Sequence, residues 1–195
     1  MAIQQTLKYE ADTDGSFASW ITEGTGGDKL RQCIQCGTCS SSCPLSLYMD
    51  YTPRRLIHLA REGFKDEVLG SFTIWLCASC YECMVQCPRQ IEVTEVMYRF
   101  KQRAIQEGRY PRNFPITILA REFVRMVRAD GRTSELRLVF RLFVKTKWRQ
   151  LWRMRGVGWD LLRTGRFSLK RETIRGRHEV AVLLDAVKAD KEVAA

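Results

Sequence analysis

Apolar side chains recur at spacings of three and four along most of the 195 residues, the period of helices that bury one face. Thr52 suits a helix cap and Pro53 a first turn; Leu56, Ile57, Leu59, Ala60 and Phe64 then share a face, and Gly63 is the expected stop. A second short helix is expected around residues 66–69. Thr94 is the expected cap of a third, with Val96, Met97, Phe100 and Ala104 on its apolar face and Arg99, Lys101 and Arg103 outward. Gly108 and Pro111 end that helix, and only Phe72 to Leu76 reads as a candidate extended segment. Upstream, a short helix after Asp14 would place Phe17, Trp20 and Ile21 against the following domain. The first dozen residues are polar and expected to be disordered.

Downstream the helical period continues over residues 115–128, 134–153, 157–163 and 178–188, with 189–195 as a frayed tail. The second of these is the most regular. Arg137, Arg141, Lys145, Arg149 and Arg153 form one i,i+4 row, and Leu136, Phe140, Val144, Trp148 and Trp152 form its neighbour, thickened by Val139 and Phe143. Gly156 and Gly158 are expected to interrupt the pattern. Period-two alternation is scarce, so the fold class read from the pattern is mainly α.

Charge divides the chain. Residues 1–108 carry 11 Lys and Arg against 13 Asp and Glu, residues 109–178 carry 19 against 5, and residues 179–195 carry 2 against 4. A near-neutral first half therefore precedes a strongly basic stretch, with a boundary expected near Gly108 to Pro111. The N-terminus lacks a basic segment followed by an apolar run, and no stretch reaches 18 apolar residues. Neither a signal peptide nor a transmembrane helix is expected, and the default location is the cytoplasm.

The chemistry lies in the cysteines. Cys33-Ile-Gln-Cys36-Gly-Thr-Cys39-Ser-Ser-Ser-Cys43-Pro44 and Cys77-Ala-Ser-Cys80-Tyr-Glu-Cys83-Met-Val-Gln-Cys87-Pro88 are one motif written twice, 44 residues apart. All eight cysteines of the chain belong to it. The C-x2-C-x2-C-x3-C-P spacing is that of iron–sulfur ligation, in which the fourth cysteine of each run serves the other cluster. Three thiolates at i, i+3 and i+6 wrap one side of a cubane, a distant segment supplies the fourth corner, and proline turns the chain away. The expected ligand sets are Cys33, Cys36, Cys39 and Cys87 for one [4Fe–4S] cluster, and Cys77, Cys80, Cys83 and Cys43 for the other. Eight ligands for two cubanes leave no open iron, which points to electron relay without catalytic residues. Two tetrahedral zinc sites are the competing use of eight thiolates, but zinc sites typically come as separated pairs rather than triplets. Gly37 would allow close backbone approach, and Leu45, Trp75, Tyr81 and Met84 would exclude water. His58 and His178 read as surface residues.

Cys33-Ile-Gln-Cys36-Gly-Thr-Cys39, Met49-Asp-Tyr-Thr-Pro53, Ile74-Trp-Leu-Cys77-Ala-Ser-Cys80-Tyr-Glu-Cys83, and the run from Cys87-Pro-Arg through Ile91-Glu-Val-Thr-Glu-Val-Met97 resemble the C-type iron–sulfur subunits of heterodisulfide reductase over roughly residues 28–110. The resemblance implies a helical two-[4Fe–4S] ferredoxin domain. It also implies relay between a flavin- and cluster-bearing A-type subunit and a disulfide-handling B-type subunit. The basic C-terminal third resembles the C-type subunits of bacterial heterodisulfide reductase-like complexes of sulfur oxidation. The expected organisation is an N-terminal extension (1–27), the ferredoxin domain (28–110), a basic helical extension for subunit docking (111–188) and a tail (189–195).

Competing readings of the basic region are docking to another subunit, peripheral membrane contact through Ser134 to Trp159, and a solvated face of helices packed on their own domain. The corresponding whole-protein alternatives are an iron–sulfur subunit of a membrane-associated quinone-linked dehydrogenase and a zinc-stabilised nucleic-acid-binding module. No recognised nucleic-acid module accompanies the arginines, which disfavours the last.

Overall fold

The computed structural model describes residues 9–23, 27–111, 114–165 and 172–193. The first eight residues, the link at 24–26, the side chain of Trp148 and the last two residues of the expected tail lie outside the described residues. The described residues are helical, with no strand among them. The chain divides into two compact units, Met1–Tyr110 and Pro111–Ala195.

In the first unit the duplicated sequence gives duplicated structure. A turn of 3-10 helix, Asp28–Gln32, leads into the first motif, and a short helix α2 (Thr38–Ser41) carries its third cysteine. The counterparts 44 residues later are α5 (Thr73–Leu76) and α6 (Glu82–Val85). The segment at Phe72 to Leu76 is therefore helical rather than extended. Asp50 explains why: its carboxylate accepts from the N–H groups of Phe72 at 2.8 Å and Thr73 at 2.9 Å, where a helix start has no internal acceptors.

Each motif is followed by a longer helix, α3 (Pro53–Arg61) and α7 (Val93–Gln106), with α4 (Lys65–Gly70) between them. Thr52 stands at the cap position of α3 but makes no side-chain cap bond. Thr94 is not the cap of α7; the helix starts one residue earlier and Thr94 is buried in its first turn. The core gathers Leu56, Ile57 and Ala60 of α3, Val68 and Leu69 of α4, Ile74 of α5, and Val96, Met97, Phe100 and Ala104 of α7. Burying a side chain such as Phe100 contributes roughly 1.5–3 kcal/mol.

The helix after Asp14, α1 (Gly15–Glu23), belongs to this core. Asp14 Oδ1 accepts from the N–H groups of Ser16 and Phe17, Phe17 and Ile21 are buried, and Phe17 stacks on Phe100 with centroids 6.2 Å apart. Arg99 donates to the carbonyl oxygens of Ile21 and Trp20 and lies over the Trp20 ring. Arg103 covers the same ring and pairs with Glu107. These half-buried cations of α7 thus clamp α1.

The second unit contains α8 (Pro115–Asp130), α9 (Glu135–Thr146), α10 (Trp148–Arg153), α11 (Arg155–Arg163) and α12 (Arg177–Val193), with α9 and α12 packed on α8. The expected single helix over 134–153 is broken at Lys147, whose φ of −144° and ψ of 63° leave the helical region. Gly156 and Gly158 lie inside α11 rather than ending anything, and α12 runs through Val193, past the expected end at 188.

Cations of α9 pair with α8 across the helix contact. Arg137 reaches Asp130 at 2.7 Å, while Arg141 and Lys145 reach Glu122 at 3.2 and 2.5 Å. Both carboxylates are buried on α8 and take their counter-charge from cations of α9 that keep 34–45% of their side-chain surface in solvent. Val139, Phe140 and Val144 are left exposed.

Candidate metal centre

Each motif wraps because its backbone turns left-handed at matching places. Gln35 (φ 57°) and Gly37 (φ 87°) in the first correspond to Ser79 (φ 58°) and Tyr81 (φ 63°) in the second. Glycine takes such angles without steric cost, whereas the second motif places a tyrosine there. A Cβ on Gly37 would meet Arg54 Cδ at an ordinary 3.6 Å, so its backbone angle, and not close approach, calls for glycine.

The two wraps form two hollows. One is lined by Cys33, Cys36, Cys39 and Cys87, the other by Cys43, Cys77, Cys80 and Cys83. Each collects three cysteines of one run and the fourth of the other. Their empty volumes, open mouths included, are about 350 and 440 Å³. No disulfide joins any of the eight. Val93 lines both hollows, and α2 with Cys39 packs on α6 with Cys83, so the two sites are neighbours across one side chain.

Burial pushes the Cys39 thiol up to about 11, against a hydrogen bond from Ser40; nearby Cys33, Cys83 and Cys36 add to the rise. Burial likewise raises Cys83, against a bond to Thr94, with Cys77, Cys80 and Cys43 adding. Hydrogen bonds from the side chain and backbone of Thr38 lower Cys36. Thiols this crowded gain from metal, which removes their protons and neutralises their mutual repulsion.

Donors surround the sulfurs. Gln35 Nε2 donates to Cys33 Sγ at 3.4 Å and the Ile91 N–H to Cys87 Sγ at 3.4 Å. Thr38 Oγ1 lies 3.3 Å from Cys36 Sγ, and Thr94 Oγ1 lies 3.8 Å from Cys83 Sγ. The first cysteine of each motif is held alike: Arg61 Nη1 donates to the Cys33 carbonyl at 2.9 Å and Lys101 Nζ to the Cys77 carbonyl at 3.0 Å.

Of the residues expected to exclude water, Leu45 and Tyr81 line the second hollow. Trp75 and Met84 line neither; Trp75 is buried edge-on against Tyr110. His58 is exposed beside Glu62, and His178 is exposed on α12. Sequence reasoning missed Asp50, Arg61 and Val93. The repeat offset, applied beyond the cysteines, could have pointed to the helices that carry the carbonyl clamps.

The donor set fits iron–sulfur clusters. Both hollows offer four thiols and no histidine or carboxylate. Among the described residues no three His, Cys, Asp or Glu side chains converge where a single ion would sit. The cysteines of each set line one hollow, and thiolates are the ligands of iron–sulfur clusters.

Comparison with known proteins agrees with this chemistry. The 4Fe-4S dicluster domain matches residues 29–91. The C subunit of the H(2):CoB-CoM heterodisulfide,ferredoxin reductase of Methanothermobacter marburgensis is 34% identical over 105 residues, which is 54% of this chain and 56% of the relative. The C subunit of the ferredoxin:CoB-CoM heterodisulfide reductase of Methanosarcina acetivorans is 40% identical over 79 residues, 40% of this chain and 32% of the relative. The C2 subunit of the H(2)/formate:CoB-CoM heterodisulfide,ferredoxin reductase of Methanococcus maripaludis is 35% identical over 138 residues, 67% of this chain and 74% of the relative. The chain spans 56% of the length of the Methanothermobacter proteins it matches. With the duplicated cysteine motif, the helical fold and this coverage together, the chain belongs to the family of heterodisulfide reductase C-type subunits.

Proposed function

We propose that this chain is the electron-transfer iron–sulfur subunit of a heterodisulfide reductase-like complex, holding two [4Fe–4S] clusters. Cys33, Cys36, Cys39 and Cys87 would hold one cluster, and Cys77, Cys80, Cys83 and Cys43 the other. The observation that carries the reading is the four-and-four grouping of cysteines around two adjacent hollows. A bound cluster supplies reversible one-electron storage. The chain's own part is to fix the thiolates, shield them with Leu45, Tyr81 and Val93, and keep the two sites close. Full cysteine ligation leaves no iron for a substrate, so the relay reading is favoured over a reaction centre.

The donor and acceptor in this reading are a flavin-containing A-type subunit and a disulfide-handling B-type subunit. The relatives' names carry H(2), CoB-CoM heterodisulfide and ferredoxin. For this chain the basic second unit supports the bacterial, sulfur-oxidising form of the complex, with that unit docking to a partner. Exposed Trp152 and Trp159 on basic α10 and α11 favour a second reading, peripheral contact with an anionic membrane in a quinone-linked dehydrogenase. No described helix is long and apolar enough to cross a membrane.

Anaerobically purified protein should be brown and contain about eight irons per chain. In Cys87→Ser the spectroscopic signals of the cluster held by Cys33, Cys36 and Cys39 should change first. A colourless zinc protein overturns the proposal; loss of the other cluster alone overturns the crossed ligation. Co-purification of A-type and B-type subunits supports the complex, whereas recovery with a quinone-reactive membrane protein supports the second reading.

A further inference from the structure

The two sites are built on one plan, so what differs between them is informative. Both have a cation on the carbonyl of their first cysteine, Arg61 in one and Lys101 in the other, and those contributions largely cancel. Both leave one thiol exposed, Cys36 and Cys80, and the other three half-buried, so solvent access does not separate them either. The remaining surroundings do. Arg54 and Arg89 line the hollow of Cys33, Cys36, Cys39 and Cys87, whereas the hollow of Cys43, Cys77, Cys80 and Cys83 is lined by no charged side chain. The first site also receives N–H donors on sulfur from Gln35 and Ile91, together with the 3.3 Å contact of Thr38. At the second, the described sulfur contact is Thr94 at 3.8 Å.

Reducing a cluster adds one negative charge. Positive charge and hydrogen bonds directed at its thiolates stabilise the reduced form more than the oxidised form, and so raise the potential. We propose that Arg54, Arg89 and Gln35 make the Cys33 site the higher-potential member of the pair, so that it is the electron sink within this chain. The inference rests on the two-cluster reading above. Cys33, Cys36, Cys39 and Cys87 would hold the cluster that keeps a single electron, and Cys77, Cys80, Cys83 and Cys43 the one that would be reduced only by a second. Transfer between them past Val93 would be a one-electron exchange, the donor oxidised by one electron and the acceptor reduced by one, with no bond or proton change. Downhill flow therefore runs from the second motif to the first.

The test is a dithionite redox titration of the anaerobically purified full chain at low ionic strength, followed by electron paramagnetic resonance. Wild type, Arg54→Gln, Arg89→Gln and Lys101→Met are compared, with iron and acid-labile sulfide measured on the same samples. Two reduction waves are expected. Arg54→Gln and Arg89→Gln should each move the upper wave to lower potential and leave the lower wave in place; Lys101→Met should move the lower wave alone. Coincident waves in wild type, or a lower wave that moves in Arg54→Gln while the upper one stays, overturn the inference while leaving two clusters intact. Iron and sulfide below two cubanes per chain overturn the two-cluster reading itself, and the inference with it.

Discussion

Lys101 Nζ donates to the carbonyl oxygen of Cys77 at 3.0 Å, tying α7 to the first cysteine of the second motif. Arg61 holds the Cys33 carbonyl in the same way from α3. A charged donor on a half-buried acceptor contributes about 1–2 kcal/mol. Lys101→Met and Arg61→Met should each lower folding stability by that amount in denaturant unfolding followed by circular dichroism. The double variant should be near the sum, because the two clamps share no partner.

Asp50 organises the approach to Cys77. Its carboxylate accepts from Ser71 Oγ at 2.7 Å, Thr73 Oγ1 at 2.5 Å and the backbone of Phe72 and Thr73. Partial burial raises its pKa, but the bonds from Thr73, Ser71 and the two N–H groups outweigh burial and hold it below the usual carboxylate range. The stabilisation is therefore fully present above the unfolded value of about 3.9 and is lost as pH falls through the folded value. Asp50→Asn should cost about 1–2 kcal/mol at neutral pH. It should also flatten the loss of stability that wild type shows below about pH 4, measured by unfolding at stepped pH.

Glu122, 1% exposed, is held by Lys145 at 2.5 Å, Arg141 at 3.2 Å and Arg125 at 3.3 Å. The hydrogen bond from Lys145 lowers its pKa, burial opposes, and Arg141 lowers it further. The cations it pairs keep 36–59% of their side-chain surface in water, so its loss costs chiefly the charge-assisted hydrogen bonds. Glu122→Ala should destabilise the second unit by about 1–2 kcal/mol. Limited proteolysis should show earlier cutting after residue 111, with the visible spectrum of the first unit unchanged.

Two glycines should separate by mechanism. Gly37→Ala meets only an unfavourable backbone angle and should cost about 1 kcal/mol. Gly63 combines φ of 84° with a Cβ position 2.7 Å from the Asp14 carbonyl oxygen, and its own carbonyl accepts the Asp14 N–H at 2.8 Å. Gly63→Ala should cost roughly 3 kcal/mol and loosen α1, seen as faster amide exchange at Phe17 and Ile21.

The grouping of cysteines in the candidate site was legible because it is written in their spacing. Cysteines three apart can only wrap, and a repeat offset of 44 residues puts equivalent turns in equivalent places. The apolar faces of α3 and α7 were legible from their period. The clamps were not: Lys101 and Arg99 lie on the polar side of α7, and their targets are backbone carbonyls 24 and 78 residues away. Nor was the helix at Thr73–Leu76, whose start depends on Asp50 from a distant segment. Short apolar runs are ambiguous between strand and helix until something caps them.

By itself the sequence determined the helical class, the doubled thiolate motif and the change of charge after residue 108, since all three reside in local pattern and composition. The tertiary structure alone decided which arginines stand beside one set of cysteines. It also decided that Arg137, Arg141 and Lys145 of α9 pair with two carboxylates buried on α8, which require counter-charge. Helical period locates a face but not what lies opposite it, and the pairing of buried charge is settled only where helices meet.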